Sequence, residues 1–192
     1  MPKVVPGYKE QAQSRILSVA REVISEKGWF ATRMEDIAAR VGVSKRTLYI
    51  YFKDKEELFK AMYASGPAEV GNALTQVFEK AEEGDACGMF FDQSMAGPQT
   101  GLDFEIIAAA SRNPSLLAVQ RELMDRKIEV VSQFLGGDDR KKRKAGGFDA
   151  RQKARLVIAL HLGLKAELLM GANKSALRKA WVEATDRIMG DG

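Results

Sequence analysis

The chain has 192 residues, 45% hydrophobic and 29% charged, with a formal charge of +4, one cysteine and one histidine. That length suits a small head on a larger body, while a lone Cys87 and a lone His161 leave no disulfide, no His/Cys zinc cluster and no two-histidine metal site. With no glycine-rich phosphate loop, no apolar run near the ~18 residues of a spanning helix and no signal-peptide core, the composition points to a cytoplasmic protein with no metal, no cofactor and no membrane contact.

Ile16, Leu17, Ala20, Val23 and Ile24 recur at helical spacing and predict a helix over residues 9–26, ended by Gly28. Trp29 and Phe30 are expected to fold back onto the core. Thr32 and Glu35 have the spacing of a capping box, with Thr32 as the cap of a short helix reaching Arg40. Gly42 breaks that helix, Ser44 caps a third one from Lys45 to about Phe52, and Asp54 caps a fourth that carries Leu58, Phe59 and Met62. Gly66-Pro67 is the expected seam, dividing a head at residues 1–66 from a helical body at 67–192. Body helices are predicted over 68–83, 89–95, 102–112, 115–135, 150–171 and 175–189, separated by glycine, proline and asparagine breakers. No useful β alternation occurs, so the fold class is all-α.

The charge is unevenly placed. Residues 1–66 carry 12 Lys/Arg against 8 Asp/Glu, and residues 67–192 carry 18 of each. A basic head on a neutral body is suited to a polyanion. Two short helices joined by a glycine turn match a helix-turn-helix, although a fragment of an ordinary helical bundle has similar spacing. Lys45, Arg46 and Thr47 fall in the first turn of the second helix of that motif, the end that enters a major groove, while Leu48 and Phe52 would face the core. Tyr49 lies on another side, able to donate to a phosphate. Lys53 and Lys55 stand near the start of the next helix, whose dipole favours the same group. Thr32, Arg33, Ser44 and Tyr51 complete the candidate DNA contacts.

The run from Ile16 to Met62 resembles the DNA-binding region of the tetracycline-repressor (TetR) family. The match lies in Glu26-Lys-Gly28, Thr32 with Asp36-Ile37-Ala38, Gly42-Val43-Ser44, Thr47-Leu48-Tyr49, Phe52-Lys53 and Lys55-Glu56-Glu57-Leu58. The resemblance covers about a quarter of the chain. It implies a non-enzymatic homodimer with two reading heads on a palindromic double-stranded operator. It also implies a C-terminal domain that dimerises and binds a small-molecule effector, which releases a repressor. Arg46 and Tyr51 depart from the glycine and histidine of many relatives. Arg46 suits either bidentate contact with guanine or a phosphate.

For the body, Leu156, Leu160, Leu164 and Leu168 form one apolar stripe, and Leu177, Trp181, Ala184 and Ile188 another. These are the dimer candidates, with burial inside one body as the alternative. Candidate effector contacts are Phe90, Phe91, Met95, Phe104, Ile107, Met124 and His161, with plain core as the more common reading of each. Cys87 lacks a partner cysteine or flanking base, which argues against a redox sensor. The basic run at residues 140–144 reads as a solvated loop, with a second nucleic-acid patch as the alternative.

Overall fold

A computed structural model describes residues 8–64, 66–80, 85–95, 100–135 and 148–190. The basic run at 140–144 and the Gly97-Pro98 breaker lie outside them. Ten α-helices are described: α1 (Tyr8–Lys27), α2 (Met34–Val41), α3 (Lys45–Tyr51), α4 (Lys55–Tyr63), α5 (Gly66–Lys80), α6 (Ala86–Ser94), α7 (Thr100–Ala110), α8 (Pro114–Leu135), α9 (Ala150–Leu169) and α10 (Lys174–Met189). No strand occurs among the described residues, as the all-α expectation requires.

The chain divides into two compact units. The first comprises residues 1–65 together with Gly101–Arg121, a segment distant in sequence from the head; the second comprises Gly66–Thr100 and Glu122–Gly192.

In the first unit each short helix buries one apolar stripe. Ile16, Ala20, Val23 and Ile24 of α1, Ile37 and Ala38 of α2, Leu48 of α3 and Leu58, Phe59 and Met62 of α4 are all buried. Trp29 joins them and meets Phe59 edge-on at 5.3 Å. Phe30 does not: it is 63% exposed, because the chain leaves α1 through Gly28 at φ 80° and only one of the two aromatics can turn inward.

In the second unit, α6 and α10 share a cluster of Phe91, Met95, Leu177 and Trp181 with Leu164 of α9. A second cluster joins Leu74, Ile128, Val131 and Ala154 from α5, α8 and α9. Arg178 of α10 stitches the same face to α6 by ion pairs with Asp85 at 2.7 Å and Asp92 at 2.9 Å.

Candidate functional site

The α2-turn-α3 unit is built by local chemistry. Gly42 adopts φ 82°, and its amide and that of Val43 return to the Ala38 carbonyl, closing α2. A side chain at that φ would crowd its own backbone, which is why glycine serves there. Two residues later the Ser44 hydroxyl accepts from the Thr47 amide at 3.0 Å and starts α3, as its sequence position predicts. Asp54 starts α4 in the same way, accepting from the Glu57 amide at 2.7 Å.

Leu48, fully buried, fixes the roll of α3. With about 100° per residue, Arg46 and Ile50 then lie opposite the core, Lys45 and Tyr49 on one flank, and Thr47 and Tyr51 on the other. The exposures follow this order: Arg46 and Lys45 are exposed, Ile50 is 71% and Tyr49 42% exposed, and Thr47 and Tyr51 are half-buried. Among the described residues Arg46 has no ion pair or hydrogen-bond partner, whereas Lys45 pairs with Glu35 of α2 and lies 5.7 Å from the Tyr49 ring centre. That contact holds the Glu35 carboxyl below its ordinary value and the Lys45 ammonium above its own, with the side-chain hydrogen bond as the chief cause.

Four sequence expectations are corrected here. Thr32 is not the cap of α2. That place belongs to Arg33, whose amide donates to Asp36 at 2.8 Å, and Thr32 is buried with its hydroxyl donating to the Gly28 carbonyl at 2.7 Å. Nor does Lys55 reach outward. Its half-buried ammonium donates to the carbonyls of Trp29 and Thr32 and sits 4.2 Å from the Trp29 ring centre. Burial, chiefly, lowers its pKa, and the negative charges of Glu56, Asp36 and Glu105 work against that. Thr32 and Lys55 therefore brace the α1–α2 connection. Arg33, Ser44, Lys45, Arg46, Thr47, Tyr49, Tyr51 and Lys53 stay at the surface or half-buried on the outward side of the motif.

The third correction concerns the body. A cavity of about 660 Å³, its open mouth included, lies within the second unit between α5, α6, α8, α9 and α10. Phe90 and His161 line it as expected; Phe91 and Met95 are buried in the adjoining cluster instead. Phe104 and Ile107 belong to the first unit, and Met124 is exposed. The principal walls are Leu74, Phe78, Phe134, Val157 and Trp181, with Lys127 as the one fully charged side chain. Much of the remaining polarity is already engaged. The Trp181 indole donates to the Cys87 carbonyl at 2.8 Å, the Thr185 hydroxyl to the Trp181 carbonyl at 2.8 Å, and His161 Nε2 meets Ser94 Oγ at 2.9 Å. Beyond Phe90 and His161 the wall has no mark in the sequence, because each of five helices gives two to four positions at ordinary helical spacing, which read as plain core.

The leucine stripe of α9 is also reassigned. Leu164, Leu177 and Trp181 are buried within one chain, and Leu160 and Leu168 pack against the same cluster. Steps of four residues advance about 40° beyond a full turn, so the stripe spirals from outside to inside. Leu156 is 38% exposed and Leu164 only 5%. Ile188 is half-buried.

The comparisons with known proteins agree with this architecture. Residues 16–62 match the family described as "Bacterial regulatory proteins, tetR family". The chain is 27% identical over 169 residues to the HTH-type transcriptional regulator UidR of Escherichia coli, covering 83% of this chain and 82% of that protein. It is also 27% identical over 140 residues to the HTH-type transcriptional regulator YfiR of Bacillus subtilis, covering 70% and 68%. In fold it resembles Salmonella enterica GusR, with a TM-score of 0.77 at 20% identity over 97% of this chain and 98% of that one. A TetR-family regulator from Rhodococcus sp. gives 0.78 at 18% identity over 94% and 100%. From the helix-turn-helix that Gly42 and Ser44 frame, and from these matches, residues 16–62 are the DNA-binding region of a tetR-family regulator, and the chain along most of its length is similar to HTH-type transcriptional regulators.

Proposed function

We propose that the protein is a homodimeric repressor that occupies a palindromic operator and leaves it when a small apolar effector fills the cavity of the second unit. The observation that carries the reading is the outward face of α3. Arg46 is exposed there without a partner among the described residues, opposite a fully buried Leu48. Phosphate contacts would come from Lys53, Tyr49 and Tyr51 beside it, with Lys45 joining if it exchanges Glu35 for the backbone.

Support for a dimer comes from the outer faces of α9 and α10. Leu156, Ala159, Gly163 and Leu169 are exposed on α9, as are Ala176 and Ala180 on α10. Small residues among large apolar ones let helices approach closely. Two copies would set their α3 helices in successive major grooves, about 34–36 Å apart. An effector that favours another spacing must, by linkage, bind the DNA-free form more tightly. The cavity favours this switch over a constitutive DNA binder, since a concave, mostly apolar site lined by aromatic side chains is where small molecules bind. Its aromatic walls suit an apolar, ring-bearing effector.

The test is sedimentation of the full-length protein with a duplex enriched from a random library. Two chains per duplex are expected, and a palindromic footprint with them. One chain per duplex would overturn the dimer reading.

A further inference from the structure

Ile50 is an anomaly in a water-facing helix. Among the described residues of the first unit it is the most exposed large aliphatic side chain, at 71%, although the buried face of α3 lies on the opposite side of the same helix. Its position is set by Leu48, which is fully buried and turns Ile50 and Arg46 onto the same outermost face. The two are four residues apart, hence neighbours on the helix surface, about 6 Å along its axis. On their flanks stand polar or aromatic groups: Lys45 and Tyr49 on one side, Thr47 and Tyr51 on the other.

We propose that Ile50 is a specificity-determining residue, reading the C5-methyl group of a thymine in the major groove beside the base pair that Arg46 meets. The inference rests on α3 being the groove helix. Thymine is the one base whose major-groove edge presents a methyl group, and aliphatic side chains recognise it by contact. A β-branched side chain loses little rotamer freedom when held on a helix, so it can present a fixed apolar surface. Arg46 supplies hydrogen bonds, which select a guanine or hold a phosphate. Ile50 supplies none, and so adds to the half-site a preference that no donor or acceptor can provide. The geometry puts that thymine within about two or three base pairs of the Arg46 contact, on the rise of one helical turn. It also explains why the face is left apolar: a residue awaiting water alone would gain nothing from a branched aliphatic chain there.

The experiment uses the full-length protein and a duplex that it enriches from a random-sequence library. Each thymine is replaced in turn by deoxyuridine, which deletes the methyl group and leaves the hydrogen-bonding edge intact. Wild type should lose roughly three- to tenfold affinity at one symmetry-related pair of thymines and little elsewhere. Ile50→Ala should lose a similar factor on the thymine duplex and nothing further on the uracil duplex, while Ile50→Val retains part of the discrimination. Helical circular dichroism and thermal midpoint should be unchanged in both variants, since Ile50 is exposed. The proposal is overturned if no thymine is sensitive to methyl deletion, or if Ile50→Ala stays as sensitive as wild type. Arg46→Ala separates this from the broader reading. If affinity survives both Arg46→Ala and Ile50→Ala, then α3 is not the groove helix. If only Arg46→Ala weakens binding, α3 stands and the role of Ile50 falls.

Discussion

The two units have unlike interiors. In the head, the rings of Trp29 and Phe59 meet edge-on at 5.3 Å and those of Phe59 and Tyr63 at a tilt at 4.5 Å, beside the fully buried Leu58 and Met62. Three of its surface cations are tied back onto the unit: Lys27 to Asp36, Arg40 to Glu26 and Lys45 to Glu35. In the body, Phe90, His161 and Trp181 stand 5.7–6.1 Å apart around a cavity of about 660 Å³. A filled core holds a reading face in one geometry, whereas a hollow one leaves room for a ligand to change how its walls pack. The difference teaches that the closely packed interior lies in the unit that carries the helix-turn-helix, and the hollow one in the unit proposed to take an effector.

Cutting the same side chain from both interiors gives the largest expected contrast. Phe59→Ala, from a fully packed site, should cost about 3–5 kcal/mol in urea denaturation. Phe78→Ala, at the cavity wall and already 37% exposed, should cost about 1 kcal/mol or less, since little new void is created. Equal costs would break the distinction.

The next contrast sharpens the head itself, by comparing two lysines two residues apart. Lys55→Met strands the carbonyls of Trp29 and Thr32 and should cost about 1–3 kcal/mol, leaving the salt dependence of DNA binding as it was. Lys53→Met should change stability by less than about 0.5 kcal/mol but reduce the salt slope by about 1 for each phosphate that the side chain no longer neutralises. If Lys55→Met flattened the slope instead, its structural assignment would be wrong.

Gly28 gives a smaller effect of the same kind. It holds φ 80°, and an added Cβ would press on the Glu105 carboxylate, which accepts from the Trp29 amide at 2.6 Å. Gly28→Ala should lower stability by about 1–2 kcal/mol, and a neutral result would show that this capping turn is soft.

The smallest signal comes from Cys87, a probe of the hollow unit. Burial raises its thiol pKa, and the thiolate is the reactive form. Alkylation by iodoacetamide at neutral pH should therefore be slower than that of glutathione and rise as pH climbs past the ordinary thiol range. A rate equal to that of glutathione would mean that the cavity opens far more freely than its walls suggest.

What could be read from sequence followed the range of the interactions. Ser44, Asp54, Gly28 and Gly42 act on backbone within four residues, so their spacing was enough to place four head helices. The capping box slipped by one residue because Asp36 competes with Glu35, and Glu35 is taken by Lys45 from the next helix. Lys55 read as a surface cation because the carbonyls it binds lie more than twenty residues away. In the body, apolar periodicity identified α9 and α10 but not which face turns inward, since Leu156 and Leu164 differ only in where neighbouring helices fall. The cavity wall takes two to four positions from each of five helices, such as Val70, Leu74 and Phe78 on α5, and each stripe alone reads as ordinary core until the other helices are placed.

The central claim, that the head grips DNA through the outward side of α3 and its flanks, is tested most directly by titrating the full-length protein onto an enriched duplex across a salt series. Six to ten phosphate contacts shared by two heads predict that affinity falls by about 10³–10⁵ between 50 and 200 mM salt, with a shallower slope in Lys53→Met. A weak dependence in wild type, unchanged by Lys53→Met, would contradict it.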